Sequence, residues 1–267
     1  MRVLCLAVTA VSLITGTLSA QIMYTGGTTY TQDFNSLANT PEGSDIAWTD
    51  NVTLPGWYNH VANRPDTYRA SDGRHDTGHV YSFGATGSTE RALGSIATSA
   101  TGTLFWGVRL RNNHPTWTLT SFTVSYTMEQ WRVAANTAVQ TTFFEYLLST
   151  TETDINGGGY TGVSAGDLVS VKTSSSASAL NGNDPANQSN HNFTVTGINW
   201  APGTDLWLRW RDPNNDGTDH GMAIDDFSFS AVPEPTTLAL VGLGMVATGV
   251  LGRKLRRNKS ESLVAGA

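Results

Sequence analysis

Apolar and polar residues alternate at a period of two through much of residues 21–232, and no amphipathic helical stripe competes with that pattern. In "TLFWGVRLR" (103–111), Leu104, Trp106, Val108 and Leu110 fall on one side, with Thr103, Gly107, Arg109 and Arg111 on the other. Such a segment is a strand with one buried face, because successive side chains of an extended chain point to opposite sides. "SFTVSYTMEQW" (121–131) repeats it, with Phe122, Val124, Tyr126 and Met128 set against Thr123, Ser125, Thr127 and Glu129. "VQTTFFEYLLST", "GDLVSVK", "NFTVTGINW", "DLWLRWR" and "GMAIDDFSFS" are further strands, separated by Gly, Asn, Pro and Ser clusters suited to turns. This pattern predicts an all-β chain folded as a β-sandwich, most simply of jelly-roll type. Composition agrees: only 14% of residues are charged and eight are Trp, which excludes a disordered or coiled-coil chain. The polar stretch 173–192 reads as a solvated insertion or a binding loop.

The two ends are of a different character. Met1 and Arg2 precede "VLCLAVTAVSLITGTLSA", the charge, apolar stretch and small residues of a secretory signal peptide, so residues 1–20 are expected to be removed. At the other end, Pro233, Glu234 and Pro235 stand before an uncharged segment at 236–252. Arg253, Lys254, Arg256, Arg257 and Lys259 follow it, within 253–259. Seventeen helical residues reach about 25 Å, near the lower limit for a bilayer, so 236–252 is expected to form one C-terminal transmembrane helix. The cations behind it place 253–259 and the tail end 260–267 in the cytoplasm, with everything upstream outside. This three-part end, 233–259, resembles the PEP-CTERM sorting tail of Gram-negative bacteria, also known as an ice-binding protein C-terminal domain. The resemblance implies export and processing by an exosortase in a cell that makes extracellular polysaccharide. It supplies an address and says nothing about ice.

Between the ends, residues 21–232 hold 10 Lys and Arg against 20 Asp and Glu, a net charge of −10. A body of that sign repels phosphates, so nucleic acid is excluded as a partner, while divalent cations and polysaccharide are compatible with it. The sole cysteine, Cys5, lies in the signal segment, which excludes disulfides, cysteine-ligated zinc and a cysteine nucleophile from the mature chain.

The acidic residues crowd into "RWRDPNNDGTDHGMAIDDFSF" (209–229). Asp212, Asn214 and Asp216 with Gly217 spell D-x-N-x-D-G, a spacing at which alternate oxygen side chains converge on Ca²⁺ while glycine permits the turn. The glutamate of a helix–loop–helix hand is missing, since Ala223 stands at the twelfth position, but Asp219, Asp225 or the distant Glu129 offer further oxygens. Strict alternation would also turn either Asp225 or Asp226 toward packed apolar side chains unless a bulge intervenes. A carboxylate so placed needs Ca²⁺ or one of Arg109, Arg111, Arg209 and Arg211, and both readings stand. A different class of function, a secreted hydrolase of glycan or phosphodiester centred on Asp212–Asp226, is the alternative; Glu129, Glu145, Asp219 and Asp225 would be its acids. His75 and His79, four apart, would share a metal only on a helix, and Gly73 and Gly78 predict a loop there.

"FNSLANT", "LPGWY", "ERALGS" and "MEQWR" resemble phrases of a recurrent bacterial secreted domain that often carries this same tail. That resemblance implies a sandwich like those of lectins and carbohydrate-binding modules, with no catalytic residue, and with Glu129 and Arg132 as internal partners. Binding of exopolysaccharide or matrix would then rest on aromatic stacking, for which Trp48, Trp57, Tyr58 and Trp117 are the candidates.

Overall fold

The computed structural model describes residues 21–233. Its strands run in chain order β1 (Ile22–Tyr24), β2 (Thr29–Gln32), β3 (Ile46–Ala47), β4 (Trp57–His60), β5 (Thr67–Ser71), β6 (His79–Phe83), β7 (Ala92–Ile96) and β8 (Leu104–Asn112). They continue as β9 (Leu119–Val133), β10 (Thr141–Ser149), β11 (Thr161–Gly162), β12 (Leu168–Val169), β13 (Ser178–Ala179), β14 (Gln188–Trp200), β15 (Asp205–Asp212) and β16 (Gly221–Val232). Among the described residues the helical segments are two single 3₁₀ turns, Ser164–Gly166 and Pro185–Asn187. Among the described residues no helix is long and apolar enough to cross a membrane. The expected signal segment 1–20, Glu234, Pro235, the helix at 236–252, the cluster 253–259 and the tail end 260–267 lie outside the described residues.

Two sheets face each other. The smaller runs β1-β8-β15-β10-β11, with β4 continuing the β1 edge of β8 and β12 the far edge of β10. The larger runs β13-β9-β16-β7-β6-β5-β3, with β14 on the outer edge of β9 and β2 beside β7 on β16. From β8 onward the long strands alternate between sheets: β8, β10 and β15 in one, β9, β14 and β16 in the other. The residues that alternation assigned to the core do meet there. Trp106, Val108, Leu110, Leu206, Leu208 and Trp210 come from the smaller sheet; Phe122, Val124, Met128, Ile224, Phe227 and Phe229 from the larger. Trp210 lies at the centre, stacked on Trp106 with centroids 4.9 Å apart and met edge-on by Tyr126 at 5.4 Å and Phe144 at 5.2 Å. Each such pair adds about 0.5–1.5 kcal/mol beyond simple area burial.

Of the segments that alternation named, two differ in the structure, and β1 to β7 were not named by it at all. "GDLVSVK" contributes only the two residues of β12, and "NFTVTGINW" begins four residues too late, since β14 starts at Gln188 and pairs along β9 from Glu129 to Ser121. The stretch 173–192 is largely exposed, as a solvated insertion would be, but it is tied down on the larger sheet through β13 and the start of β14. Leu180 donates its amide to the Trp131 carbonyl at 2.8 Å, and Gly182 lies so close over the Trp131 indole that a side chain there would meet the ring at 2.3 Å.

Candidate functional site

A bulge in β16 decides where the last two aspartates go. Met222 and Ile224 face the core, and so do Phe227, Phe229 and Ala231, so the inward parity changes from even to odd across Asp225–Asp226. The pairing with β9 shifts register between Asp225 and Ser228, and Asp226 takes φ 51°, a left-handed conformation that Asp tolerates better than most residues. The extra residue lets both carboxylates leave the apolar interior. Asp226 is exposed beside a cavity of about 400 Å³ lined by Thr31, Gln32 and Asp33.

Asp225 instead meets Glu90 and Glu129. One carboxylate oxygen from each of the three lies within 4.8 Å of the others. Glu129 is 2% exposed and accepts from Trp131 Nε1 at 2.8 Å and Gln188 Nε2 at 3.0 Å. Glu90 accepts from Asn183 Nδ2, and Asp225 Oδ1 from the Asp226 amide at 2.7 Å. Burial away from water pushes Glu129 up to about 7 and Asp225 up to about 8, and the neighbouring carboxylates add to both. Oxygen donors this close suit a hard cation, because two ligands at about 2.3–2.6 Å from one Ca²⁺ are themselves at most about 5 Å apart.

The other aspartates separate from this cluster, so 209–229 forms no single centre. Asp212, 4% exposed, closes one end of the space between the sheets. It accepts from Ser95 Oγ of the larger sheet at 2.7 Å and from Thr142 Oγ1 of the smaller at 3.2 Å, while Trp106 Nε1 donates to that same Ser95 oxygen at 3.0 Å. Burial raises its pKa to about 7. Asn214 and Asp216 are exposed whereas Asp212 is buried, and Asp212, Asp216 and Asp219 do not bring carboxylate oxygens together as Glu90, Glu129 and Asp225 do. Gly217 turns that loop at φ +87°, where Asn136 Nδ2 donates to the Asp216 and Thr218 carbonyls at 2.9 and 3.0 Å. Asp219 holds Asn215 through Oδ1 and lines a cavity of about 260 Å³ with Arg132, Asp76 and Thr98; its Oδ2 has no donor.

None of the four arginines proposed as partners reaches these carboxylates. They lie on the outward face of the smaller sheet, where Arg109 and Arg111 pair with Asp205 at 2.6 and 3.4 Å. Arg209 and Arg211 grip Glu145, each at 2.7 Å. That pairing takes Glu145 out of the set of free acids. Arg132 serves as an internal tie, donating to the Gly73 and Arg74 carbonyls at 3.1 Å. His79 is buried in β6 and its pKa falls to about 4 through desolvation; His75 packs on Gly43 instead, so the two form no metal pair.

The stacking residues need correction. Trp48 and Trp57 are 2% and 0% exposed, and Tyr58 is 6% exposed against Trp207. Their rings complete the hydrophobic clusters and offer no face to a sugar. Trp117 alone of the four is open, 47% exposed and stacked on His114 at 4.1 Å. Sequence reasoning named Asp225 and Glu129 but missed Glu90, which precedes β7 and reaches the cluster only because β7 pairs with β16.

The PEP-CTERM protein-sorting motif matches residues 231–257, so it begins within the last strand of the sandwich. No curated protein matches the chain. Among solved structures, the chain is similar to the enzymatically active domain of tailspike protein 4 of bacteriophage CBA120, at 7% identity and a TM-score of 0.36. There the match covers 74% of this chain but only 22% of the tailspike chain. It is similar also to the CBM22-1 xylan-binding domain of Xyn10C from Paenibacillus barcinonensis, at 9% identity and a TM-score of 0.36 over 79% of this chain and 98% of that one. A third is an adhesin domain of Lys-gingipain from Porphyromonas gingivalis, at 14% identity and a TM-score of 0.37 over 70% and 99%. No residue or ligand is carried over from these likenesses.

Proposed function

We propose that this chain is an exported protein of a Gram-negative cell, sorted by an exosortase, whose β-sandwich associates with extracellular polysaccharide at the cell surface or in the matrix. The observation that carries the reading is the sorting motif at 231–257, which starts where the sandwich ends. The segment 236–252 holds the precursor in the membrane, with Arg253, Lys254, Arg256, Arg257 and Lys259 on the cytoplasmic side. The strand crossings between sheets from β8 to β16 support a jelly-roll type of sandwich. Calcium is the cation proposed for Glu90, Glu129 and Asp225, since the donors are all oxygen and carry three carboxylates' charge. The hydrolase alternative has less support, because Asp212 is sealed between the sheets and Glu129 is 2% exposed, so neither opens on a cleft.

The test is fractionation of the tagged full chain in hosts with and without an exosortase. A shortened form at the surface that requires the enzyme supports the proposal. Full-length protein among the cytosolic proteins of both hosts refutes it.

A further inference from the structure

The outward side of the larger sheet carries a regular polar lattice. Register places Thr29, Ser230, Thr123 and Thr194 in one row across β2, β16, β9 and β14. Thr31, Ser228, Ser125 and Asn192 form the next row. The outer members of both rows are exposed and the inner ones half-buried by their neighbours alone. Thr123 and Thr194 share a hydrogen bond at 2.8 Å; the other six side chains make none among the described residues.

This face departs from an ordinary wet sheet surface. Solvated strands, and edge strands above all, usually carry Lys or Glu that keep other chains away. The thirteen residues of the edge strand β14 hold no Lys, Arg, Asp, Glu or Pro, within a body that has 10 cationic and 20 anionic side chains. The two rows hold no Lys or Arg, which gives a nucleic acid or an acidic polymer nothing to pair with, and the exposed Asp226 beside Thr31 repels anions. The absence of large apolar side chains removes the buried centre that a protein partner needs. Short side chains also have few rotamers, so less entropy is lost on binding than with long ones such as Lys or Gln. Within a row the side chains repeat about 4.8 Å from strand to strand, and the two rows lie about 6.8 Å apart, offering donors and acceptors at regular intervals to a polymer that carries its own hydroxyls along its length.

We propose that these rows are the docking surface for a neutral, extended polysaccharide laid across β2, β16, β9 and β14. This rests on the polysaccharide reading above and assigns it to hydroxyl and amide contacts instead of aromatic stacking. The test is retention of the full chain on insoluble cellulose, curdlan and β-mannan, with alginate as the acidic comparison. Retention on a neutral polymer that falls at least tenfold in Ser125→Lys/Ser230→Lys, with unchanged melting, and persists in Thr123→Ser and Trp117→Ala, supports the assignment. Native retention by the lysine variant, or loss in Trp117→Ala instead, overturns it while leaving polysaccharide association intact. Retention on alginate alone overturns the neutral assignment. No retention on any of the four polymers removes the polysaccharide reading and this inference together.

Discussion

Asp212 gives the sharpest quantitative prediction. Its carboxyl is 4% exposed and accepts from the Ser95 and Thr142 hydroxyls and the Ala97 amide, with no cation beside it, and burial lifts its pKa from 3.8 to about 7. The folded state therefore holds this proton more tightly than the unfolded chain does. Stabilisation is complete below about pH 4 and is lost progressively as pH rises to about 7, where the folded carboxyl finally ionises. Each pK unit corresponds to about 1.4 kcal/mol, so the roughly three-unit rise is worth about 4 kcal/mol. Asp212→Asn keeps the shape and removes the titration, since Ser95 and Thr142 hydroxyls rotate to give or accept as the amide requires. The variant should match the native protein near pH 4 and exceed it above pH 7.5 by up to about 4 kcal/mol, or roughly 10 °C in melting temperature for a domain of this size. Urea or thermal melts of both proteins across pH 4–9 measure the difference. Glu129 and Asp225 titrate in the same direction, so only the gap between the two curves reports Asp212. Parallel curves at every pH would refute the argument.

Adding Ca²⁺ should raise the melting temperature at pH 8, by about 2.7 kcal/mol in stability at 100 times the dissociation constant. Glu129→Gln should abolish that response, and an equal melt in Ca²⁺ and EDTA would remove the proposed ion. Arg209 binds Glu145 and the Ile155 and Gly157 carbonyls and lies 3.5 Å from the Tyr160 ring centroid. Arg209→Ala should thus destabilise by about 1–3 kcal/mol, the usual result of leaving buried acceptors without a donor, since Glu145 keeps Arg211 while the two carbonyls lose theirs. Limited proteolysis should then cut first within 150–160, and an unchanged digestion pattern would contradict the tethering role.

The alternation in "TLFWGVRLR" and "SFTVSYTMEQW" is a local property, which is why the inward faces of β8 and β9 were readable residue by residue. The sorting tail is likewise a contiguous signal, legible without any fold. The site was not contiguous. Asp212 and Asp225 stand thirteen positions apart in sequence, yet one closes the end of the core and the other sits on the outward face. They stand on strands of different sheets, and the extra residue in β16 that keeps Asp226 as well out of the core depends on a partner strand that the sequence does not display.

Glu90 shows the same limit, as do the buried Trp48 and Trp57, whose exposure depends on what packs over them. The sequence by itself determined most of the long strands from β8 onward, the inward faces of β8 and β9, the acidic body and the address at its end, because each is encoded in neighbouring residues. Tertiary structure alone decided which carboxylates meet, which aromatics are sealed, and that four separate strands line up their short hydroxyls. Those outcomes follow from non-local strand pairing and register, which assemble residues from distant parts of the chain.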